Sequence, residues 1–282
     1  LTLSVVVVTG DGIVVASDSR TTLRQTPREG GGAAYRVASD FTHKVFQAGE
    51  VAVATFGEAF VQGRSIASHM AEFVARKNDQ CINPKAAADH LAAFFEELYR
   101  TDSAGGPPAA PLDQRSALGF LVAGYADAVG EAYEVGIPGS LVNLLGTTAS
   151  GGVAAWRGQV DVVSRIVRGA DLELLDRLAV VTGKKAEHDA LKPLLDALTY
   201  RIPLNWMNLQ DAVDLAVLCI RTTIDVQRLT LGSLAMGPEF SWPGVGGPIE
   251  IATVTARGKF AWLQRTAVQG ERPAGQAEGY AS

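Results

Sequence analysis

Thr2, Asp18 and Lys44 are the residues of this chain whose types and order suit covalent catalysis. A threonine at a free N-terminus is a complete nucleophile–base unit. Its hydroxyl attacks, and its own α-amine takes the proton through a water. Such an amine titrates at about pH 8, so a useful fraction is neutral under ordinary conditions. A nearby ammonium would lower the amine pKa and favour ionisation of the hydroxyl, and a carboxylate would hold that ammonium in place. Thr2, Lys44 and Asp18 supply these roles if the strands bring them together. Taken singly, each has a plainer reading: a strand threonine, a turn residue at a strand end, a solvated charge at a strand start. Leu1 precedes Thr2, and an amide nitrogen is not a base. The chemistry therefore needs Thr2 exposed, either by a processing peptidase or through a start codon written as Leu, read as Met and then trimmed.

Other chemistries find less support. The chain of 282 residues is 47% hydrophobic and 20% charged, which excludes a disordered or collagen-like chain and predicts a real core. Net charge is −5 with no dense basic patch, so nucleic acid is not an expected partner. The two cysteines, Cys81 and Cys219, make no CxxC pair, and the four histidines are scattered; no metal site and no cofactor are expected. Gly30-Gly31-Gly32 lacks the spacing and lysine of a phosphate loop, and no GxSxG elbow occurs. The apolar run Val5–Val8 is too short to span a bilayer, and no signal-peptide pattern is present, so the expected location is the cytoplasm, away from membranes.

The elements that must position the three residues follow from periodicity. Leu3 to Thr9 and Ile13 to Ser17 read as two strands around Gly10-Asp11-Gly12. Residues 21–40 are polar and Gly-rich, an excursion from the sheet. Lys44–Gln47 and Val51–Phe56 form the next strand pair. Ile66, Met70, Phe73 and Val74 share one helix face, and Ala88, Leu91, Phe95 and Leu98 share another. Residues 102–113 read as an exposed loop, and strands resume over 117–124, 131–135 and 141–145. Helical patterns follow from about Ala149, over 171–199, and over 209–224. Strands 249–255 and 260–263 close one domain, residues 1–265, ahead of a frayed tail, 266–282. The block order predicts α+β layers rather than βαβ alternation.

The segment from Thr2 to Thr22, with Asp11-Gly12-Ile13-Val14-Val15-Ala16-Ser17-Asp18-Ser19-Arg20-Thr21-Thr22, resembles the opening of a proteasome β-type subunit, an N-terminal-nucleophile hydrolase. The nucleophilic threonine of that family lies sixteen positions before the acid of a D-x-R-x-T strand end, as Thr2 does before Asp18. Lys44-Val45-Phe46-Gln47 resembles the strand that carries the family lysine. Val51 to Ala59 resembles the following A-G-x-x-G-D-A segment, and Leu209 to Val213 the start of the long penultimate helix. Gly244 to Ile251 resembles the entry to a late strand, in a form similar to that of the bacterial ring-forming peptidase Anbu. Resemblance touches both ends of the chain and is weakest over 100–200.

The resemblance implies a four-layer αββα sandwich and a threonine-type peptidase acting on peptides or unfolded proteins inside a homo-oligomeric ring. An unfoldase that would feed such a ring leaves no signature in this chain. Carried over, Thr2 is the nucleophile and Asp18 and Lys44 the supporting pair. Arg20 organises the site wall, Thr21 borders the pocket, and the Thr22 backbone binds substrate as an added strand. The backbone near Ala54 and Gly57 stabilises the oxyanion. Ser150 stands for a serine near the amine, though a helix N-cap is its plainer role. Asp225 stands for the late acid, though a solvated helix-end acid explains it equally. The segment between Asp18 and Lys44 is about ten residues longer than in most β subunits. Two alternatives remain open: a catalytically silent ring or scaffold subunit, since proteasome α subunits lack the nucleophile, and an N-terminal-nucleophile amidohydrolase for small amides.

Overall fold

Alternating burial along the strands sets the architecture. In β1 (Leu3–Val8) and β2 (Ile13–Ser17), Val5, Val7, Val14 and Ala16 enter one apolar cluster, while Val6, Val8, Ile13 and Val15 enter another. Strands buried on both faces read as unbroken apolar runs, as Leu3-Ser4-Val5-Val6-Val7-Val8 does but for one serine. The structure is a computed structural model that describes residues 2–25, 34–101, 116–170, 176, 179–230, 243–257 and 259–267. The loop expected at 102–113 and nearly all of the tail lie outside them.

The fold mixes helices with two five-stranded sheets whose neighbours all pair antiparallel. The first sheet has the order β12-β1-β2-β13-β14, with β12 Val153–Gly158, β13 Glu250–Thr255 and β14 Lys259–Gln264. The second has the order β11-β10-β9-β6-β5. Its strands are β5 Val45–Ala48, β6 Val51–Gly57, β9 Leu118–Ala126, β10 Val129–Ile137 and β11 Leu141–Thr147. β3 (Thr21–Gln25) and β4 (Ala34–Ser39) pair only with each other, so the polar excursion leaves both sheets as a ribbon. A short pair, β7 (Phe60–Val61) and β8 (Arg64–Ser65), follows β6.

Small side chains join the two sheets. Val6, Val8, Ile13 and Val15 of the first meet Ala52, Ala54, Leu121, Ala123 and Ala132 of the second in a shared cluster. On the other face of the second sheet, α1 (Ile66–Lys77) and α2 (Pro84–Thr101) bury Met70, Phe73, Leu91 and Phe95 against Phe120 and Val122. On the other face of the first, α3 (Asp161–Arg168) and α5 (Leu209–Leu229) bury Val163, Ala216 and Ile220 against β1. Between them in sequence lies α4 (Lys185–Asp196). Asn208 caps α5 reciprocally with Asp211.

The stretch after Ala149 departs from the helical expectation. Val153–Gly158 is the strand β12, because Ala155 and Trp156 point to opposite clusters with period two. The helix begins only at Asp161, after Gly158 turns at φ 98°.

β12 runs antiparallel to β1, pairing Val153 with Val8 and Gly158 with Leu3, so Gly158 ends beside Thr2. A Cβ on Gly158 would sit 2.0 Å from the Thr2 carbonyl oxygen. Gly158→Ala combines that clash with a left-handed backbone, and we expect it to cost at least about 2 kcal/mol. Urea denaturation at constant slope checks this; a midpoint equal to wild type would contradict the close approach.

Candidate active site

Asp18 follows the last residue of β2 and is fully buried. Its Oδ1 accepts from Leu3 N and Lys44 Nζ, both at 3.0 Å. Its Oδ2 accepts from Arg20 N at 3.1 Å and Gly246 N at 3.0 Å. One carboxylate therefore ties the start of β1, the β2 exit, the lysine before β5 and the turn before β13. Lys44 Nζ also donates to the Arg20 carbonyl. Burial pushes the Lys44 ammonium below its ordinary 10.5, with the Asp18 carboxylate opposing the shift.

A second buried acid fixes the lysine's backbone. Glu250, paired opposite Ser17 at the start of β13, accepts from Lys44 N at 2.9 Å and Val45 N at 3.2 Å through Oε2. Its Oε1 lies 2.6 Å from His43 Nδ1, within hydrogen-bond distance. Sequence reasoning noticed Glu250 only within the Gly244–Ile251 motif; the strand pairing makes it the anchor of β5.

Arg20 holds the opposite wall. Its guanidinium grips Asp40 through Nε at 2.6 Å and Nη2 at 3.2 Å, and Nη1 donates to the Pro243 carbonyl at 2.9 Å. Thr21 Oγ1 donates to Thr42 Oγ1 at 2.8 Å, closing the base of the β3–β4 ribbon. Neither Asp40 nor Thr42 stood out in the sequence, since each matters only through a contact some twenty residues away.

These groups border a cleft of about 370 Å³ that includes Thr2, Thr21, Thr22, Lys44, Phe56 and Gly57. It shares Thr2, Thr22 and Gly57 with a wider groove of about 1300 Å³ reaching Leu23, Phe60 and Gln159. Thr2 is the residue before the Asp18-bound Leu3 amide, and it is 6% exposed. The structure thus brings Thr2, Asp18, Arg20, Thr21, Thr22, Lys44 and Gly57 to one place.

Three residues are not brought there. Ala54 is fully buried in the cluster between the sheets, paired with Val45 and Leu121. Thr55 N donates to Lys44 O on the β5 side, and Glu58 N to Ala117 O on the β9 side. Alternation turns the Ala54 N–H toward β9, and Gly57 rather than Ala54 borders the cleft. Ser150 forms a reciprocal cap with Thr147 before β12. Because β12 is antiparallel to β1, Ser150 lies beyond the Val8 end, roughly 20 Å along the strand from Thr2. Asp225 is on the solvent side of α5, paired with Arg228 at 3.4 Å. Two residues on, buried Gln227 faces inward and accepts from Val245 N at 2.9 Å, supporting the turn whose next amide binds Asp18.

Among the described residues, no group of three or more His, Cys, Asp or Glu is placed to hold a metal ion. No helix among them is long and apolar enough to cross a membrane. In comparisons with known proteins, no family model and no curated protein matches this chain.

Asp18→Asn keeps the shape but leaves one amide oxygen to serve four donors and removes the lysine's counter-charge. We expect a loss of about 3–5 kcal/mol, as for other broken buried pairs, and a Lys44 midpoint lower still than in the wild type. In the wild type the unfolded chain holds the Lys44 proton more tightly. This group's contribution to stability therefore rises with pH from the depressed folded midpoint up to 10.5. A ¹³C-lysine NMR titration checks both directions; a Lys44 midpoint at or above 10.5 would refute them.

Proposed function

We propose that this chain is a threonine-type peptidase of the N-terminal-nucleophile class, active once Thr2 carries a free amine. The observation that supports this best is the buried Lys44–Asp18 pair, held on one carboxylate oxygen with the amide of the residue after Thr2, at the junction of cleft and groove. Burying a lysine and an aspartate costs desolvation that a structural role could avoid with apolar residues. Beside a threonine, their field favours an ionised hydroxyl. The two sheets with helices outside fit the four-layer αββα sandwich of that class.

In this reading the α-amine takes the Thr2 hydroxyl proton through a water while Oγ1 attacks the substrate carbonyl. The Gly57 N–H stabilises the oxyanion. The tetrahedral intermediate expels the leaving amine, which takes the proton, and water then hydrolyses the ester. An extended peptide lies between Thr21–Thr22 on one wall and Gly57–Ala59 on the other, as an added strand. The wide groove beyond Thr2 favours a peptide over a small amide. A homo-oligomeric ring enclosing the cleft belongs to the same reading.

The test uses a chain that begins at Thr2, treated with a peptide epoxyketone, which closes a ring on the hydroxyl and amine of one N-terminal threonine. Mass spectrometry should find the adduct on the Thr2 peptide, and none in Thr2→Ala or in a chain that keeps Leu1. Lys44→Ala should lower peptide turnover by about 100-fold or more. Neither adduct nor cleavage across a peptide panel, from a folded chain starting at Thr2, would overturn the reading.

A further inference from the structure

The residues that sequence placed around the Thr2 amine, Ser150 and Asp225, lie elsewhere, and the structure puts Gln159 beside Thr2 instead. Gln159 N donates to the Thr2 carbonyl at 2.7 Å, so the two residues are fixed against each other. Gln159 is 5% exposed and lines the same groove as Thr2 and Gly158. Its side-chain Oε1 is buried with no hydrogen-bond partner. A buried acceptor left in this way is uncommon in a folded protein and needs an explanation. Gly158, which only glycine can fill at this contact, is what lets Gln159 come so close.

Removal of Leu1 explains it. A peptide nitrogen at Thr2 carries one N–H, whereas a free amine carries two and an ammonium three. The added N–H groups arise on the residue whose carbonyl accepts from Gln159 N, in the groove that both residues line. Resting on the proposed function, we infer that Gln159 is a positioning residue whose Oε1 accepts a hydrogen bond from the freed α-amine of Thr2. That bond orients the amine's lone pair toward the hydroxyl proton. It strengthens when the amine has taken that proton, because the ammonium is the better donor.

The other charged or titratable groups around Thr2 are Asp18 and Arg20 after β2, His43 and Lys44 before β5, and Glu58 after β6. On the β12 side are Arg157, paired with Glu134, and Asp161 at the start of α3. All of them remain when Gln159 alone is changed.

The experiment compares wild type, Gln159→Leu and Gln159→Glu, each as a chain starting at Thr2. Amine titration is read from the pH dependence of trace acetylation by acetic anhydride, quantified on the N-terminal peptide by mass spectrometry. Loss of the acceptor in Gln159→Leu should move the amine midpoint down, and the carboxylate of Gln159→Glu should move it up, with about one pH unit or more between them. A residue that only packs would not shift the two variants in opposite directions. Variants that both titrate with the wild type overturn the inference. If Gln159→Leu fails to fold, Gln159→Asn, which withdraws the acceptor by one methylene, should shift the midpoint the same way. The acidic limb of kcat/KM for peptide cleavage should follow these shifts. Opposite shifts in a chain that cleaves no peptide would keep the Gln159 contact and reject the peptidase reading.

Discussion

A carboxylate that is wholly buried must be met by donors, and Asp18 is met by four, from Leu3, Arg20, Lys44 and Gly246. The donors come from parts of the chain more than two hundred residues apart. Losing any one leaves part of a buried charge without a partner, so the carboxylate constrains all four segments together. The location of Thr2 follows from this, because the Leu3 amide bound to Asp18 holds the residue before it at the cleft. Glu250 repeats the logic one strand away, holding the backbone of Lys44 and Val45 and the ring of His43. Lys44 is thereby fixed twice, by its amide and by its ammonium.

The apolar framework makes this rigidity affordable. β1 and β2 are buried on both faces, so a one-residue slip would carry every valine into the wrong cluster. Six of the thirteen buried residues in the layer between the sheets are alanines, Ala52 and Ala54 of β6 among them. Ser4, the one polar residue inside β1, reaches across that layer to the Thr55 carbonyl at 2.9 Å and meets Ser17 Oγ at the same distance. The cleft thus rests on two sheets that are cross-linked beneath it.

The residues around the cleft differ in how firmly they are held. Arg20 and Lys44 each pair with a carboxylate of the wall, and the His43 ring lies within hydrogen-bond distance of a third. Glu58 caps its own turn, accepting from Ala59 N and Phe60 N. Gln159 alone among the groove's side chains described here brings a buried acceptor without a donor.

Local pattern determined much of this protein. The Thr2–Asp18 spacing was legible because both residues belong to one hairpin, whose valines and Gly-containing turn set its register. The apolar helix faces and most strands followed from period 3.6 and period two. Lys44, Arg20 and Gly57 came with a motif resemblance, and all three border the cleft that Thr2 lines. Tertiary structure decided the rest, because strand direction and pairing join residues that sequence leaves far apart. Antiparallel pairing of β12 with β1 puts Ser150 beyond the Val8 end of β1 and Gln159 beside Thr2. Pairing along β6 buries Ala54 between the sheets and leaves Gly57 at the cleft. The helical turn in α5 faces Asp225 to solvent and Gln227 inward. Residue types thus set what chemistry was available, and non-local pairing chose which copies of each type meet.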